Sequence, residues 1–126
     1  MTDNRLTGRR ILVAEDEYVM AMDLTQELAG MGAIVIGPAP SVERAVDLIE
    51  CTPCIDAAIL DINLGGEMIF PAADRLCARG VPFLFTTGYD QSIIPARFCG
   101  KPRCEKPVGS GKLCRVLARI IPAQTA

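Results

Sequence analysis

The sequence predicts an α/β domain built on a parallel sheet, and three observations lead there. Four short apolar runs, ILVA (11–14), AIVI (33–36), AAIL (57–60) and VPFLF (81–85), are rich in branched residues and barely alternate. That is the pattern of strands covered on both faces. Segments with helical periodicity separate the runs. Strand and helix then recur at about twenty-five residues per unit, which implies repeated right-handed βαβ crossovers.

Each element has its own local reason. ILVA is the first strand. Met20, Leu24, Leu28 and Met31 fall on one helical stripe, and Gly32 is placed to end that helix. AIVI is the second strand. Ser41 can cap the next helix, which carries Val42, Ala45, Val46 and Ile49 on one side. AAIL is the third strand. Phe70, Ala73, Leu76 and Cys77 form a third stripe; Pro71 is tolerated only in a first turn, so this helix starts near Phe70 and stops before Gly80. VPFLF is the fourth strand. Between Tyr89 and Gly100 the neighbours Ile93 and Ile94, followed by Pro95, predict only a turn or so of helix with few apolar anchors. GKPRCEK (100–106) is polar and contains Pro102, so the fifth strand is inferred from position and suits a sheet edge. Leu113, Val116, Leu117 and Ile120 form the last helical stripe.

The 126 residues fit one domain, expected over 9–122 between a flexible tail at 1–8 and a short one at 123–126. Half the residues are hydrophobic, enough for a core, while the apolar runs are far shorter than a bilayer span. No apolar signal region follows MTDNRLTGRR, so a cytoplasmic protein is expected. His is absent, which excludes Ser-His and Cys-His nucleophile pairs, His-ligated metals and His phosphotransfer on this chain. A net charge of −2 argues against nucleic-acid binding, although Arg97 to Arg119 is a basic stretch that could face a partner. The six cysteines include Cys51 and Cys54 in CTPC. That pair sits at the end of a helix rather than its start, so it does not fit a redox motif, and free thiols are the default.

Polar groups follow the apolar runs. Glu15 and Asp16 follow the first, Asp61 the third, Thr86 and Thr87 the fourth, and Lys106 the weak fifth. In an open parallel sheet these positions share the carboxyl edge, where ligands bind. Asp is a poor strand residue and a poor buried one, so Asp61 is placed there for something that reaches it from outside. Three carboxylates within about 5 Å would repel by ~3 kcal/mol per pair at an effective dielectric of 20, so they hold a proton or a cation. Oxygen-only ligands favour magnesium. A lysine and a threonine beside the metal can receive the oxygens of a phosphoryl group, and Asp can be its covalent acceptor.

Together, ILVAEDE, AILDINLGGE, FTTGY and EKP resemble the receiver domain of bacterial response regulators, from about Arg10 to Ile121. The resemblance implies a doubly wound, flavodoxin-like fold: a five-stranded parallel sheet in the order 2-1-3-4-5 with helices on both faces. It implies that Glu15 and Asp16 are the acidic pair, Asp16 being the direct magnesium ligand, that Asp61 is the phosphorylated residue, and that the carbonyl of Asn63 completes the metal site. Thr87, before the small Gly88, resembles the switch hydroxyl, and Lys106, before Pro107, the lysine that pairs with the phosphoryl group. FTTGY is similar to the motif of a subgroup whose fourth strand ends in Phe-Ala-Thr-Gly-Tyr. Arg103 stands where the family usually has an aromatic switch residue, and Tyr89 is a candidate to replace it.

The function this implies is that of a stand-alone, single-domain response regulator in a two-component phosphorelay. It would accept a phosphoryl group from a histidine kinase or phosphotransfer protein and change its binding to a downstream protein, with no nucleic acid or membrane involved and homodimerisation left open. It would be no enzyme in the ordinary sense, though it would assist its own phosphorylation and dephosphorylation. The alternatives are a magnesium-dependent phosphohydrolase working through an aspartyl phosphate, disfavoured because Asn63 stands where such enzymes carry a second acid, and a phosphate sink.

Overall fold

The computed structural model describes residues 6–88, 94–106 and 109–122. The chain runs β1 (Arg10–Ala14), α1 (Tyr18–Gly30), β2 (Ile34–Ala39), α2 (Val42–Cys51), β3 (Ala57–Asp61), a small hairpin β4 (Asn63–Leu64) and β5 (Glu67–Met68), α3 (Phe70–Ala78), β6 (Phe83–Thr87), a 3-10 turn (Ala96–Phe98), β7 (Arg103–Glu105) and α4 (Ser110–Ile120). The main sheet has the order β2-β1-β3-β6-β7, all pairs parallel. Counting only its five strands, this is the expected 2-1-3-4-5 order of a doubly wound α/β fold.

Strand alternation divides the core in two. Leu12, Ala14, Ala58, Leu60, Phe83 and Phe85 face α2 and α3, where Ala45, Ile49, Ala73 and Leu76 meet them. Ile11, Val13, Ala57, Ile59, Leu84 and Cys104 face α1 and α4, against Leu28, Leu113 and Leu117. Every residue of β3 and β6 is buried, as their continuous apolar runs require. The Ser41 hydroxyl caps α2 by accepting from the Arg44 N–H at 3.2 Å, and Pro71 lies in the first turn of α3.

The structure corrects several expectations. β2 is covered only in part: it is an edge strand whose Ile36 and Val35 pack partly against the two opposite core layers, and Ile34 is 46% exposed. Cys77 points outward, since Ala72 rather than Cys77 completes the buried stripe of α3. The segment 6–8 is not a loose tail. Leu6 is fully buried in the α1–α4 layer, and the Gly8 N–H donates to the Gly32 carbonyl at 2.9 Å. The segment before β7 is better anchored than its sequence suggests. Phe98 is buried against Phe70, Phe83 and Phe85, with ring centroids 5.6, 6.1 and 5.7 Å away. Beside it Arg97 makes a bidentate pair with Asp74 at 2.8 and 3.0 Å. Residues 89–93, including Tyr89, and Pro107 lie outside the described residues. No described helix is long and apolar enough to cross a membrane.

Candidate functional site

The register of the parallel sheet assembles the site. Ala14 pairs with Leu60, Asp61 with Thr86, and Thr87 with Glu105, so the residues ending β1, β3, β6 and β7 share one edge. The Lys106 N–H donates to the Thr87 carbonyl at 2.7 Å, which extends the β6–β7 pairing by one residue and turns Lys106 toward the acids.

Glu15 and Asp61 are buried, each 5% exposed, and Asp16 is exposed. Carboxylate oxygens of Glu15, Asp16 and Asp61 lie within 4.8 Å of one another. The Lys106 ammonium bridges two of them, 2.9 Å from Glu15 Oε1 and 2.8 Å from Asp61 Oδ2. Backbone amides hold the remaining oxygens. The Glu17 N–H donates to Glu15 Oε2 at 3.1 Å, the Asn63 N–H to Asp61 Oδ1 at 3.3 Å, and the Gly65 N–H to Asp16 Oδ2 at 3.1 Å. Thr86 and Thr87 are buried at the end of β6.

Burial pushes the Asp61 carboxyl up to about 6; the hydrogen bond from Lys106 opposes this and the charge of Glu15 adds to it. Burial alone would lower the Lys106 ammonium, but its hydrogen bonds to Asp61 and Glu15 outweigh that and raise it. The site therefore holds an excess of negative charge around one ammonium. Its donors are hard carboxylate oxygens with no sulfur or imidazole among them, a set that fits magnesium.

The structure brings together Glu15, Asp16, Asp61 and Lys106 through their side chains, and places Asn63 and Thr87 next to them along the chain and the sheet. The sequence reading missed the hairpin β4–β5. Its tip is the pair Gly65–Gly66, with φ of +61° and +89°, both positive as a two-residue type I′ hairpin turn requires. The signal was present in LGGE, a Gly-Gly pair flanked by residues able to pair. Asn63 shapes the same turn, its side-chain oxygen accepting from the Gly66 N–H at 3.1 Å.

Comparison with known proteins agrees with this fold. No family model matches the chain. The solution structure of SdrG from Sphingomonas melonis Fr1 is 37% identical, with a TM-score of 0.78 over 94% of this chain and 98% of that one. The transcriptional regulatory protein PdtaR of Mycobacterium tuberculosis is 31% identical over 90 residues, covering 71% of this chain and 43% of PdtaR. The phyllosphere-induced regulator PhyR of Methylorubrum extorquens is 32% identical over 100 residues, covering 73% and 38%. The chain thus spans about two fifths of these curated relatives. The same fold occurs in a response regulator receiver protein from Sinorhizobium medicae (19% identical, TM-score 0.75, 90% and 94% covered). It occurs again in the receiver domain of the sensor histidine kinase PA1611 from Pseudomonas aeruginosa, solved with magnesium in its active site cleft (24% identical, TM-score 0.77, 90% and 98% covered). The chain belongs to the response-regulator receiver family of two-component signalling proteins.

Proposed function

We propose that this protein is a single-domain response regulator in which Asp61 accepts a phosphoryl group from a histidine kinase or phosphotransfer protein. The observation that supports this best is the Lys106 bridge between Asp61 and Glu15 with Asp16 alongside. An Asp61 carboxylate oxygen attacks phosphorus, the phosphorus–nitrogen bond of the donor's phosphohistidine breaks, and an aspartyl phosphate forms. Lys106 then follows the charge onto the phosphoryl oxygens, and the Thr87 hydroxyl donates to another. The carboxylates of Glu15, Asp16 and Asp61, with the backbone carbonyl of Asn63, would hold magnesium, which supplies charge neutralisation at the phosphoryl group.

The sequence Phe85-Thr86-Thr87-Gly88-Tyr89 supports a place in the Phe-Ala-Thr-Gly-Tyr subgroup. The likeness over 98% of SdrG supports a receiver domain of the same extent, and action in the cytoplasm on a downstream protein is part of this proposal. The phosphohydrolase reading is disfavoured. Asn63 follows Asp61 by two residues, and an amide there cannot exchange a proton as an acid would. A signal carrier and a phosphate sink share this chemistry, and phosphotransfer profiling against histidine kinases separates them.

The direct test is mass spectrometry after incubation with a small acyl phosphate and magnesium. The parent should gain one phosphoryl group and Asp61→Asn none. A normal gain in Asp61→Asn overturns the assignment.

A further inference from the structure

Asp16 differs from the two acids beside it. Glu15 and Asp61 are buried and share the Lys106 ammonium. Asp16 is exposed, where a carboxylate keeps its rotamer freedom unless a hydrogen bond removes it. Its hydrogen bond comes from the tip of the β4–β5 hairpin, where the Gly65 N–H donates to Oδ2. That hairpin is slight. It pairs Asn63 with Met68 and Leu64 with Glu67, and of these four residues only Leu64 is buried. A Cβ at Gly66 would meet nothing within 4 Å, and one at Gly65 only the Pro40 carbonyl oxygen at 3.8 Å. A two-stranded hairpin with so little packed against it is marginal in water, so the tip depends on local ties.

Asn63 supplies such a tie. Its side-chain oxygen reaches across the turn and accepts from the Gly66 N–H at 3.1 Å. Its backbone N–H donates to Asp61 Oδ1 at 3.3 Å. One residue thus links the two carboxylates: Asp61 to the Asn63 backbone, the Asn63 side chain to the turn, and the turn to Asp16. An amide oxygen makes this tie without charge. A carboxylate could accept the same bond, but it would add a fourth negative charge beside three acids that already repel one another. A side chain of equal size with no acceptor would leave the Gly66 N–H to water.

We infer that Asn63 is a positioning residue for the cation site and acts through its side chain, apart from any role of its backbone carbonyl. The inference rests on the reading of Glu15, Asp16 and Asp61 as a magnesium site. The amide oxygen fixes the turn, the turn fixes the Gly65 N–H, and that N–H presents Asp16 beside the other two acids before a cation arrives. A group that orders a ligand in advance raises affinity, because less freedom is lost on binding.

The test uses the full chain without a phosphodonor and compares the parent with Asn63→Leu, which keeps the size and removes the acceptor, and Asn63→Asp, which restores the acceptor. Amide hydrogen exchange without magnesium, followed by NMR, reads the turn. Calorimetric titration with magnesium chloride at pH 7.5 reads the site. In Asn63→Leu the Gly65 and Gly66 amides should exchange about threefold faster or more, and magnesium should bind about three- to tenfold more weakly. The amides of β3 should exchange as in the parent, which separates a loosened turn from a weakened fold. Asn63→Asp should recover the parent's exchange at Gly66 and bind magnesium at least as tightly as the parent. The proposal is overturned if Asn63→Leu binds magnesium as the parent does, or if its Gly65 and Gly66 amides keep the parent's rate. It is overturned equally if Asn63→Asp exchanges there as fast as Asn63→Leu. A parent that binds no magnesium overturns the cation reading and this proposal with it, while the phosphoryl mass gain at Asp61 is decided by its own experiment.

Discussion

Asp61 answers to two opposed influences. Burial lifts its carboxyl to about 6, while Lys106 at 2.8 Å holds it down. A carboxyl that is protonated cannot ligate a cation, so protons and magnesium compete for it. Magnesium affinity should be nearly flat above pH 7 and fall as pH drops through about 6, by about tenfold for each further unit. Lys106→Ala removes the group that favours the ionised form, so its midpoint should move to higher pH. Magnesium titrations at pH 5.0, 6.0 and 7.5 read both effects, and an affinity independent of pH in this window would contradict them. The placement of the acids, Thr87 and Lys106 at one edge of the sheet was legible because buried strands cannot end on such groups without reason. The backbone amides that hold Asp16, Asp61 and Glu15 were not, because an N–H carries no residue identity.

Among the elements, the hairpin β4–β5 links local backbone geometry to the site. Its tip residue Gly65, at φ +61°, donates to Asp16. Asn tolerates this left-handed conformation and Val does not. Gly65→Asn should therefore melt within about 0.5 kcal/mol of the parent and bind magnesium as the parent does. Gly65→Val should lose ~1–2 kcal/mol and bind magnesium more weakly, because Asp16 loses its anchor. Thermal melts with magnesium titration check this; equal magnesium affinity in all three proteins would separate the tip from the site. The four α-helices and the first four main strands were legible from periodicity and length, whereas the fifth was inferred only from its position. The hairpin was not, because two-residue strands are too short to show a period. The exposure of β2 was hidden as well: its branched residues read as a buried strand, and only the strand order puts it at the edge.

At the scale of the molecule, the sheet separates two packed layers with different tasks. The α2–α3 layer is aromatic around Phe70, Phe83, Phe85 and Phe98 and fixes the segment leading to β7, hence Lys106. The α1–α4 layer is aliphatic and contains Leu6. The sequence could not reveal Leu6, one apolar residue among polar neighbours with no period to place it. Leu6→Ala should cost ~2–4 kcal/mol in chemical denaturation with the site chemistry retained. A loss under 0.5 kcal/mol would mean that Leu6 packs loosely. The practical meaning concerns recombinant boundaries. A purification tag, fluorescent reporter or fused module belongs before residue 6. A version trimmed to Arg9, one residue before the first strand, would uncover the aliphatic layer from below and should come out of expression aggregation-prone.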